Sequence, residues 1–178
     1  MEQRYDLSGS LLHWYDYNKR ILPWRENKDP YRIWISEIML QQTRVEAVKP
    51  YFDRFMEVLP TVYDLAKVDD DRLMKLWEGL GYYNRARNLK VAAQTIVEEY
   101  GGQLPADYDK LLSLKGIGMY TAGAIGSIAF ELQVPAVDGN VLRVLTRLWG
   151  DDSDILKDKT KKAMGRRVME FMPEDRPG

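Results

Sequence analysis

One glutamate early in the sequence stands where a carboxyl group could act as a general acid. Glu37 shares one side of a predicted helix with Ile33 and Leu40, at i, i+4 and i+7 spacing. A carboxylate on an apolar side has a raised pKa because desolvation disfavours the charged form, and a raised pKa suits proton donation. The alternative, from spacing alone, is a glutamate at the rim of a core, paired with an arginine such as Arg25.

A glycine pair between two helical patterns could bind an anion. Gly116 and Gly118 lie within the stretch Leu112–Ala122, and glycine tolerates the positive φ of a tight hairpin. The N–H groups at the start of the following helix favour a phosphate. A second carboxylate, Asp138, follows that helix in the string Val-Asp-Gly-Asn, where aspartate is also a preferred helix N-cap.

Helices must position these residues, because strand patterns are poor throughout the chain. Apolar residues recur at helical spacing between cap signals, which predicts an all-α protein of about ten helices. The predicted helices are, in order, 6–20, 29–42, one opened by a Thr43–Glu46 capping box, two capped by Thr61 and Asp69, then 82–100, 107–114, 119–130, 138–149 and 158–172. Gly123 and Gly126, inside the second arm of the hairpin, predict close packing against a neighbour.

Composition excludes several classes of site. The 178 residues contain 26 basic and 27 acidic side chains, so any DNA-binding surface must come from local clustering of charge. Arg85, Arg87 and Lys90 form one basic helix side that could touch DNA or could simply be solvated. There is no cysteine and one histidine, which excludes disulfides, thiolate-bound metals and His-rich metal sites supplied by this chain. No apolar run reaches membrane-spanning length and no signal-peptide pattern occurs, so a cytoplasmic protein is expected.

Longer strings of residues resemble one enzyme family. The hairpin Leu112–Ala122 with Val137–Val141 downstream resembles the helix-hairpin-helix, Gly/Pro-rich-loop, Asp superfamily of DNA base-excision glycosylases. Three further strings, Leu22–Arg25, Ser36–Thr43 and Gly79–Tyr83, are similar to its adenine DNA glycosylase branch. The resemblance covers nearly the whole chain and implies excision of adenine mispaired with guanine or 8-oxoguanine.

The resemblance assigns roles to the two carboxylates. It implies that Glu37 protonates the adenine, at N7, so that the base can leave. Asp138 would stabilise the resulting sugar cation or attack it, and Asn140 would orient that carboxylate and a water molecule. One carboxyl as acid and another as stabiliser or nucleophile repeats the logic of sugar hydrolases.

Tyr120 separates two branches of the superfamily. Relatives that resemble endonuclease III carry a lysine at this position, which forms a Schiff base and leads to strand cleavage. A phenol cannot form a Schiff base, and Lys115 lies before the second hairpin glycine. The sequence therefore predicts a monofunctional glycosylase, with an endonuclease III-like glycosylase-lyase as the alternative. From sequence alone, Tyr120 could equally be an aromatic residue packed in the core.

Other residues are implied to contact DNA or the flipped base. Glutamines 41 and 42 and Tyr82 resemble wedges that fill the gap when a base leaves the stack. Their alternatives are polar surface for the glutamines and core packing for Tyr82. The adenine pocket is implied to include Trp24, Arg25 and Leu40, although Trp24 read without the family would be a core residue.

The hairpin is implied to clamp a DNA phosphate. The residues that resemble this clamp are Gly116, Gly118 and Thr121, and Thr43 is implied to touch DNA nearby. Lys115 stands where the family usually has proline, and it could add a phosphate contact or loosen the turn.

The resemblance also implies domains, a cofactor and partners. A six-helix barrel domain would span residues 28–137, and residues 1–27 and 138–178 would form a second helical domain. The family normally continues into a four-cysteine loop that binds a [4Fe–4S] cluster, expected here beyond residue 178, so the chain resembles an N-terminal catalytic part. A monomer acting on double-stranded DNA is expected, with no membrane. The non-enzymatic alternative is a helix-hairpin-helix DNA-binding module whose carboxylates only cap and pair.

Overall fold

The computed structural model describes residues 6–178, and its regular structure is entirely helical in that range. This confirms the all-α prediction. The α-helices are α1 (Leu7–Asn18), α2 (Pro30–Leu40), α3 (Val45–Val58), α4 (Val62–Lys67), α5 (Asp70–Trp77), α6 (Asn84–Tyr100), α7 (Tyr108–Ser113), α8 (Met119–Phe130), α9 (Gly139–Trp149) and α10 (Asp158–Met169). A 3-10 helix, Pro23–Arg25, precedes α2. Within the described residues, no helix is both long and apolar enough to cross a membrane.

Side-chain caps fix where several helices begin. Asp29, Thr61 and Asp69 each accept backbone N–H groups from the first turn of the helix that follows, as predicted. A cap of this kind stabilises a helix by about 1 kcal/mol, because it satisfies donors that have no partner inside the helix. Gly101 and Gly150 end α6 and α9 in the left-handed conformation.

The capping box predicted at Thr43 and Glu46 is wrong. Helix α3 begins at Val45 with Arg44 as its N-cap, and no side chain caps it. Thr43 belongs instead to the turn that closes α2, because its N–H bonds to the Leu40 carbonyl at 3.3 Å. The Glu46 carboxylate pairs with Lys49 at 2.9 Å.

Two other predicted helix ends also move. Helix α6 begins at Asn84 and not at Tyr82, because Tyr82 has φ +48° and a left-handed residue cannot belong to a right-handed helix. Helix α10 ends at Met169 and not at Met172, since Glu170 and Phe171 close its last turn with bonds to Arg167 and Val168.

Buried apolar side chains form two clusters of unequal size. The larger runs from Leu22 to Ile125 and includes the fully buried Trp34, Phe55 and Trp77. The smaller contains Leu142, Leu145 and Met164, from α9 and α10, with partly buried neighbours that include residues of α1. Leu22 and Trp24 pack in the larger cluster, although the sequence assigned residues 1–27 to the second domain. The exact division into domains stays a prediction.

The segment between α8 and α9 crosses α8 at very close range. A Cβ atom on Gly123 would lie 2.2 Å from the Pro135 carbonyl oxygen, and one on Gly126 would lie 2.9 Å from a Val134 methyl group. Only glycine therefore permits this crossing, as the sequence predicted for the second arm of the hairpin. The crossing directs the chain toward Asp138 at the start of α9.

Candidate active site

Glu37 lies in the last turn of α2 with its side chain half-buried. The next-door Ser36 is buried, and its hydroxyl donates to the Ile33 carbonyl at 2.8 Å. Burial raises the pKa of the Glu37 carboxyl above its ordinary value, and the charge of Asp138 raises it further, while the Tyr120 hydroxyl and Arg25 oppose the rise. The raised pKa predicted from the sequence is present, and its main cause is desolvation.

The alternative in which Glu37 pairs with Arg25 does not fit the structure. Arg25 is exposed, its guanidinium carbon lies 5.8 Å from the Tyr15 ring centroid, and no ion pair joins it to Glu37 within residues 6–178. The influence of Arg25 on Glu37 is therefore one of longer-range charge, and the carboxyl is left available for chemistry.

Asp138 caps α9, and the same contacts hold its carboxylate in place. One oxygen, Oδ1, accepts the N–H of Asn140 at 2.9 Å and the N–H of Val141 at 2.8 Å. The other, Oδ2, accepts the Asn140 side-chain amide at 2.9 Å. The N-cap interpretation and the predicted orienting contact from Asn140 are thus present together. The cap contacts therefore fix the orientation of the Asp138 carboxylate at the start of α9.

Tyr120 is the second residue of α8 and is near enough to both carboxylates to feel their charges. Burial raises the pKa of its phenol, and the charges of Glu37 and Asp138 raise it further. The phenol therefore stays protonated at neutral pH and can act as a donor. Tyr120 and Glu37 are close enough for a contact between the phenol and the carboxyl to lower the pKa of Glu37 and raise that of Tyr120.

A cleft of about 870 Å³ opens beside Tyr120 and Asp138, and Glu37 does not line it. Gln41, Tyr120 and Asp138 line it, from the end of α2, the start of α8 and the start of α9. Helix α10 contributes Lys161, Lys162 and Arg166, which sequence reasoning missed. The run of basic residues in α10 is visible in the sequence and could have indicated that this helix borders a functional site.

The predicted hairpin is formed by α7 and α8. Gly116 has φ +82°, and a Cβ there would lie 2.8 Å from the Cβ of Asn88, so glycine is needed at this turn. Gly118 is exposed, has an extended backbone and is the N-cap of α8. No side chain caps the N–H groups in the first turn of that helix. Lys115 is exposed beside them. Thr121 is buried, so its side chain is not exposed to a phosphate in this structure.

The predicted wedge residues line a second cavity, of about 630 Å³. Gln41, Gln42 and Tyr82 all contribute to it. Tyr82 is 67% exposed, which overturns the alternative that it packs in the core. Gln42 is also exposed, and both residues have positive φ, +60° for Gln42 and +48° for Tyr82. Thr43 is half-buried next to Gln42.

The structure brings the residues predicted for the adenine pocket together less closely than the other predicted sets. Trp24 is buried against Phe52, with ring centroids 5.3 Å apart, and it does not line the cleft. The structure thus favours the core alternative for Trp24. Leu40 is half-buried against the larger core cluster. Of this set, only Arg25 acts on the site, through its charge on Glu37.

Sequence reasoning also missed the role of Arg85, which it placed on a basic helix side that could touch DNA. The side chain of Arg85 donates to five backbone carbonyls, those of Ile38, Met39, Gln41, Leu80 and Gly81. Nothing in local spacing signals a contact between residues more than forty positions apart.

The chain offers no ligands for an iron–sulfur cluster. Cysteine is absent from the whole sequence. The described residues hold no group of three or more His, Cys, Asp or Glu side chains that could hold a metal ion. These 178 residues therefore supply no cysteine ligand to the [4Fe–4S] cluster that the resemblance implies beyond residue 178.

Comparisons with curated proteins point to one activity. The chain is 42% identical over 178 residues to the adenine DNA glycosylase of Rattus norvegicus, covering 95% of this chain and 34% of that protein. It is 45% identical over 157 residues to the adenine DNA glycosylase of Buchnera aphidicola subsp. Acyrthosiphon pisum, covering 88% and 45%. The chain thus spans about a third to under a half of the length of these relatives.

Solved structures share the fold. A thermostable thymine-DNA glycosylase matches with a TM-score of 0.86 at 29% identity, covering 95% of this chain and 78% of that one. A trapped endonuclease III–DNA covalent intermediate matches with a TM-score of 0.77 at 26% identity, covering 94% and 76%. The family model of the HhH-GPD superfamily base excision DNA repair proteins matches residues 35–171. The chain belongs to the HhH-GPD superfamily of base excision DNA repair proteins.

Proposed function

We propose that this chain is the catalytic part of an adenine DNA glycosylase, which removes adenine mispaired with guanine or 8-oxoguanine from double-stranded DNA. The observation that carries the proposal is the proximity of Glu37, Tyr120 and Asp138. Glu37 and Tyr120 shift each other's pKa, and the charge of Asp138 raises the pKa of both. The named activity of the curated relatives supports the choice of adenine as the base.

The arrangement suits an acid-assisted cleavage of the glycosidic bond. The protonated Glu37 carboxyl gives its proton to N7 of the flipped adenine, and the bond between C1′ and N9 breaks with its electron pair moving to the base. The Asp138 carboxylate, held by Asn140 and the α9 N-terminus, stabilises the positive charge that develops on the sugar or bonds to C1′. Water then adds at C1′, releasing the Asp138 carboxylate if it has bonded there, its proton passes to a carboxylate, and free adenine and an abasic site remain.

Tyr120 supports hydrolysis without strand cleavage. Its phenol stays protonated and has no amine to attack C1′. The endonuclease III-like alternative requires such an amine, and Lys115 is exposed in the loop on the other side of Gly116. Borohydride treatment during the reaction should therefore trap no covalent complex of this chain with DNA, and a trapped complex would restore the glycosylase-lyase alternative.

The remaining parts of the proposal concern the DNA phosphate, the oligomeric state, the place in the cell and the iron–sulfur cluster. The exposed hairpin glycines and Lys115 would bind a DNA phosphate, and the protein would act as a monomer within the cell. The iron–sulfur cluster of longer family members would need ligands from outside these 178 residues, since none are present here.

The test is single-turnover release of adenine by the 178-residue chain. The substrates are an adenine:8-oxoguanine duplex and an adenine:thymine control, with alkali used to reveal abasic sites. We expect release from the first duplex only, and Glu37→Gln should slow it by roughly 10²- to 10⁴-fold, the usual contribution of a general acid. The matched control is Glu99→Gln, at an exposed position of α6, which should leave the rate unchanged.

The non-enzymatic alternative predicts a different pattern. A DNA-binding module would bind duplexes with a strong dependence on salt and would release no base from either duplex. If the folded chain gives that result, the catalytic proposal is wrong for this chain. Equal release by wild type and Glu37→Gln would remove Glu37 from its assigned role.

A further inference from the structure

Two turns of the chain carry exposed residues in an unfavourable backbone conformation. Gln42 follows α2 and Tyr82 follows α5, forty residues later, and both have positive φ without being glycine. Elsewhere in residues 6–178, only Glu131 shares this property among non-glycine residues. Both side chains line the same 630 Å³ cavity. A conformation of this kind persists only where the surrounding structure imposes it.

Arg85 connects these two turns. Its Nη1 donates to the Ile38 and Gln41 carbonyls, each at 2.7 Å, and to Met39 at 3.3 Å. Its Nη2 donates to the Leu80 carbonyl at 2.9 Å and to Gly81 at 3.3 Å. One nitrogen thus holds the end of α2, and the other holds the turn before Tyr82.

The chemistry of these contacts is specific to a guanidinium group. The last carbonyls of a helix have no partner inside it and carry partial negative charge, so a buried cation stabilises them. A guanidinium presents its donors in a rigid planar fork, which can reach two separate groups at once. No carboxylate pairs with Arg85 within the described residues, and its guanidinium carbon lies 5.4 Å from the Trp77 ring centroid and 5.8 Å from that of Tyr82. Its charge is therefore directed at carbonyl oxygens and at these two rings.

We propose that Arg85 is a positioning residue that fixes the spacing and orientation of Gln42 and Tyr82 so that both can enter DNA together when a base is flipped. The inference rests on the proposed glycosylase function, which assigns the wedge role to these residues. It also moves Arg85 from the DNA-contacting surface to the support beneath it, because both terminal nitrogens are occupied by protein carbonyls.

The first test needs no DNA. In the unaltered chain, the amides of Thr43 and Leu80 report on the two turns, since they donate to Leu40 and Trp77. If one guanidinium ties both turns, these amides should open in the same event, with hydrogen-exchange protection factors within roughly threefold of each other. Protection factors that differ by far more would overturn the proposal.

Arg85→Lys is the decisive variant. Lysine keeps the charge and the aliphatic stem, but a single ammonium cannot reach both turns. We expect faster exchange at Thr43 and Leu80 together. The control, Arg72→Lys, changes an exposed arginine of α5 and should alter neither amide.

The second test measures flipping itself. A duplex with 2-aminopurine in place of the target adenine brightens when that base leaves the stack. At saturating duplex, Arg85→Lys should slow the fluorescence rise and adenine release by roughly 10- to 100-fold, as expected for misplaced groups. The dissociation constant for the duplex should change by less than about threefold, because the hairpin and not Arg85 holds the phosphate.

A double-mutant cycle separates positioning from general damage. If Arg85 acts through Gln42, then Arg85→Lys should have a smaller effect on flipping in a Gln42→Ala background than in wild type. Full additivity, or a loss of duplex affinity equal to the loss of flipping, would overturn the proposal. If the unaltered chain neither flips nor releases the base, the proposed function fails, while the exchange measurements still decide whether Arg85 ties the two turns.

Discussion

The pKa of Glu37 connects catalysis to the stability of the fold. The carboxyl is half-buried at the end of α2, and desolvation raises its pKa above the 4.5 of an exposed glutamate. A proton donor must hold its proton near neutral pH, and burial together with the charge of Asp138 favours that state, whereas the Tyr120 hydroxyl opposes it. The same burial makes the ionised form unfavourable in the folded chain, so the acid that we propose for catalysis destabilises the protein when it loses its proton.

This connection predicts a pH-dependent effect of Glu37→Gln on stability. The folded chain binds the Glu37 proton more tightly than the unfolded chain, so this contribution is complete below about pH 4.5 and is lost as the pH rises through the folded-state pKa. The amide that replaces the carboxyl in this variant cannot ionise. The free energy of unfolding of the variant, minus that of wild type, should therefore increase with pH and then level off.

Urea unfolding between pH 5 and 8 measures this difference. Glu99→Gln provides the comparison, because its position on α6 is exposed and its difference from wild type should stay flat. A Glu37→Gln difference that falls as the pH rises would mean that Glu37 is stabilised as a carboxylate, and its assignment as the acid would be wrong.

At the scale of elements, glycine packing places the second carboxylate. Two helices meet the Pro135 segment through glycines, Gly123 from α8 and Gly165 from α10. Their clearances differ, because a Cβ on Gly123 would lie 2.2 Å from a backbone oxygen, while one on Gly165 would lie 3.5 Å from a proline side-chain carbon. The tight crossing at α8 holds the segment that leads to Asp138.

These clearances predict opposite effects of the same substitution. Gly123→Ala should destabilise the fold by about 1–3 kcal/mol or more, because a backbone atom has to move. Gly165→Ala should stabilise it by about 0.5–1 kcal/mol, since alanine lowers the entropy of the unfolded chain and the space is sufficient. Thermal unfolding of the two variants checks this pair, and a Gly123→Ala chain as stable as wild type would contradict the crossing described here.

The elements also indicate how far sequence reasoning reaches. Caps such as Asp29, Thr61 and Asp69 act on the turn beside them, so local spacing was enough to predict them. The Thr43–Glu46 box failed because the turn closing α2 competes for Thr43, and that turn is held by Arg85 from α6. Long-range contacts of this kind leave no local pattern. For the site, resemblance supplied Glu37 and Asp138, while the α10 lysines and the burial of Trp24 depend on packing.

At the scale of the whole molecule, the two core clusters differ greatly in size. The larger one contains several fully buried aromatic side chains, whereas the smaller is built around Leu142, Leu145 and Met164. Stability follows buried apolar area, so the part formed by α9 and α10 has less to hold it. Asp138 is the N-cap of α9 and therefore lies where this less well packed part of the chain begins.

This difference predicts that α9 and α10 open before the rest of the chain. In native-state hydrogen exchange at increasing urea, their amides should exchange through a partial opening with a lower free energy than those of α2 and α8. Leu145→Ala should lower that opening energy by about 2–5 kcal/mol and leave the α2 amides almost unchanged. A single free energy shared by all these helices would show one cooperative unit instead.

The left-handed residues have a consequence for engineering. A left-handed conformation costs a non-glycine residue roughly 1–2 kcal/mol, and Gln42, Tyr82 and Glu131 all adopt it. Glu131 only ends α8, where glycine is the usual residue and an exposed pair with Lys28 is all that would be lost. Glycine at Gln42 or Tyr82 would relax the backbone equally well but would remove a side chain that we propose enters DNA. A heat-resistant version of this protein can therefore be sought at Glu131 without a cost to the proposed function, whereas stabilisation at the other two positions would, on our proposal, slow turnover.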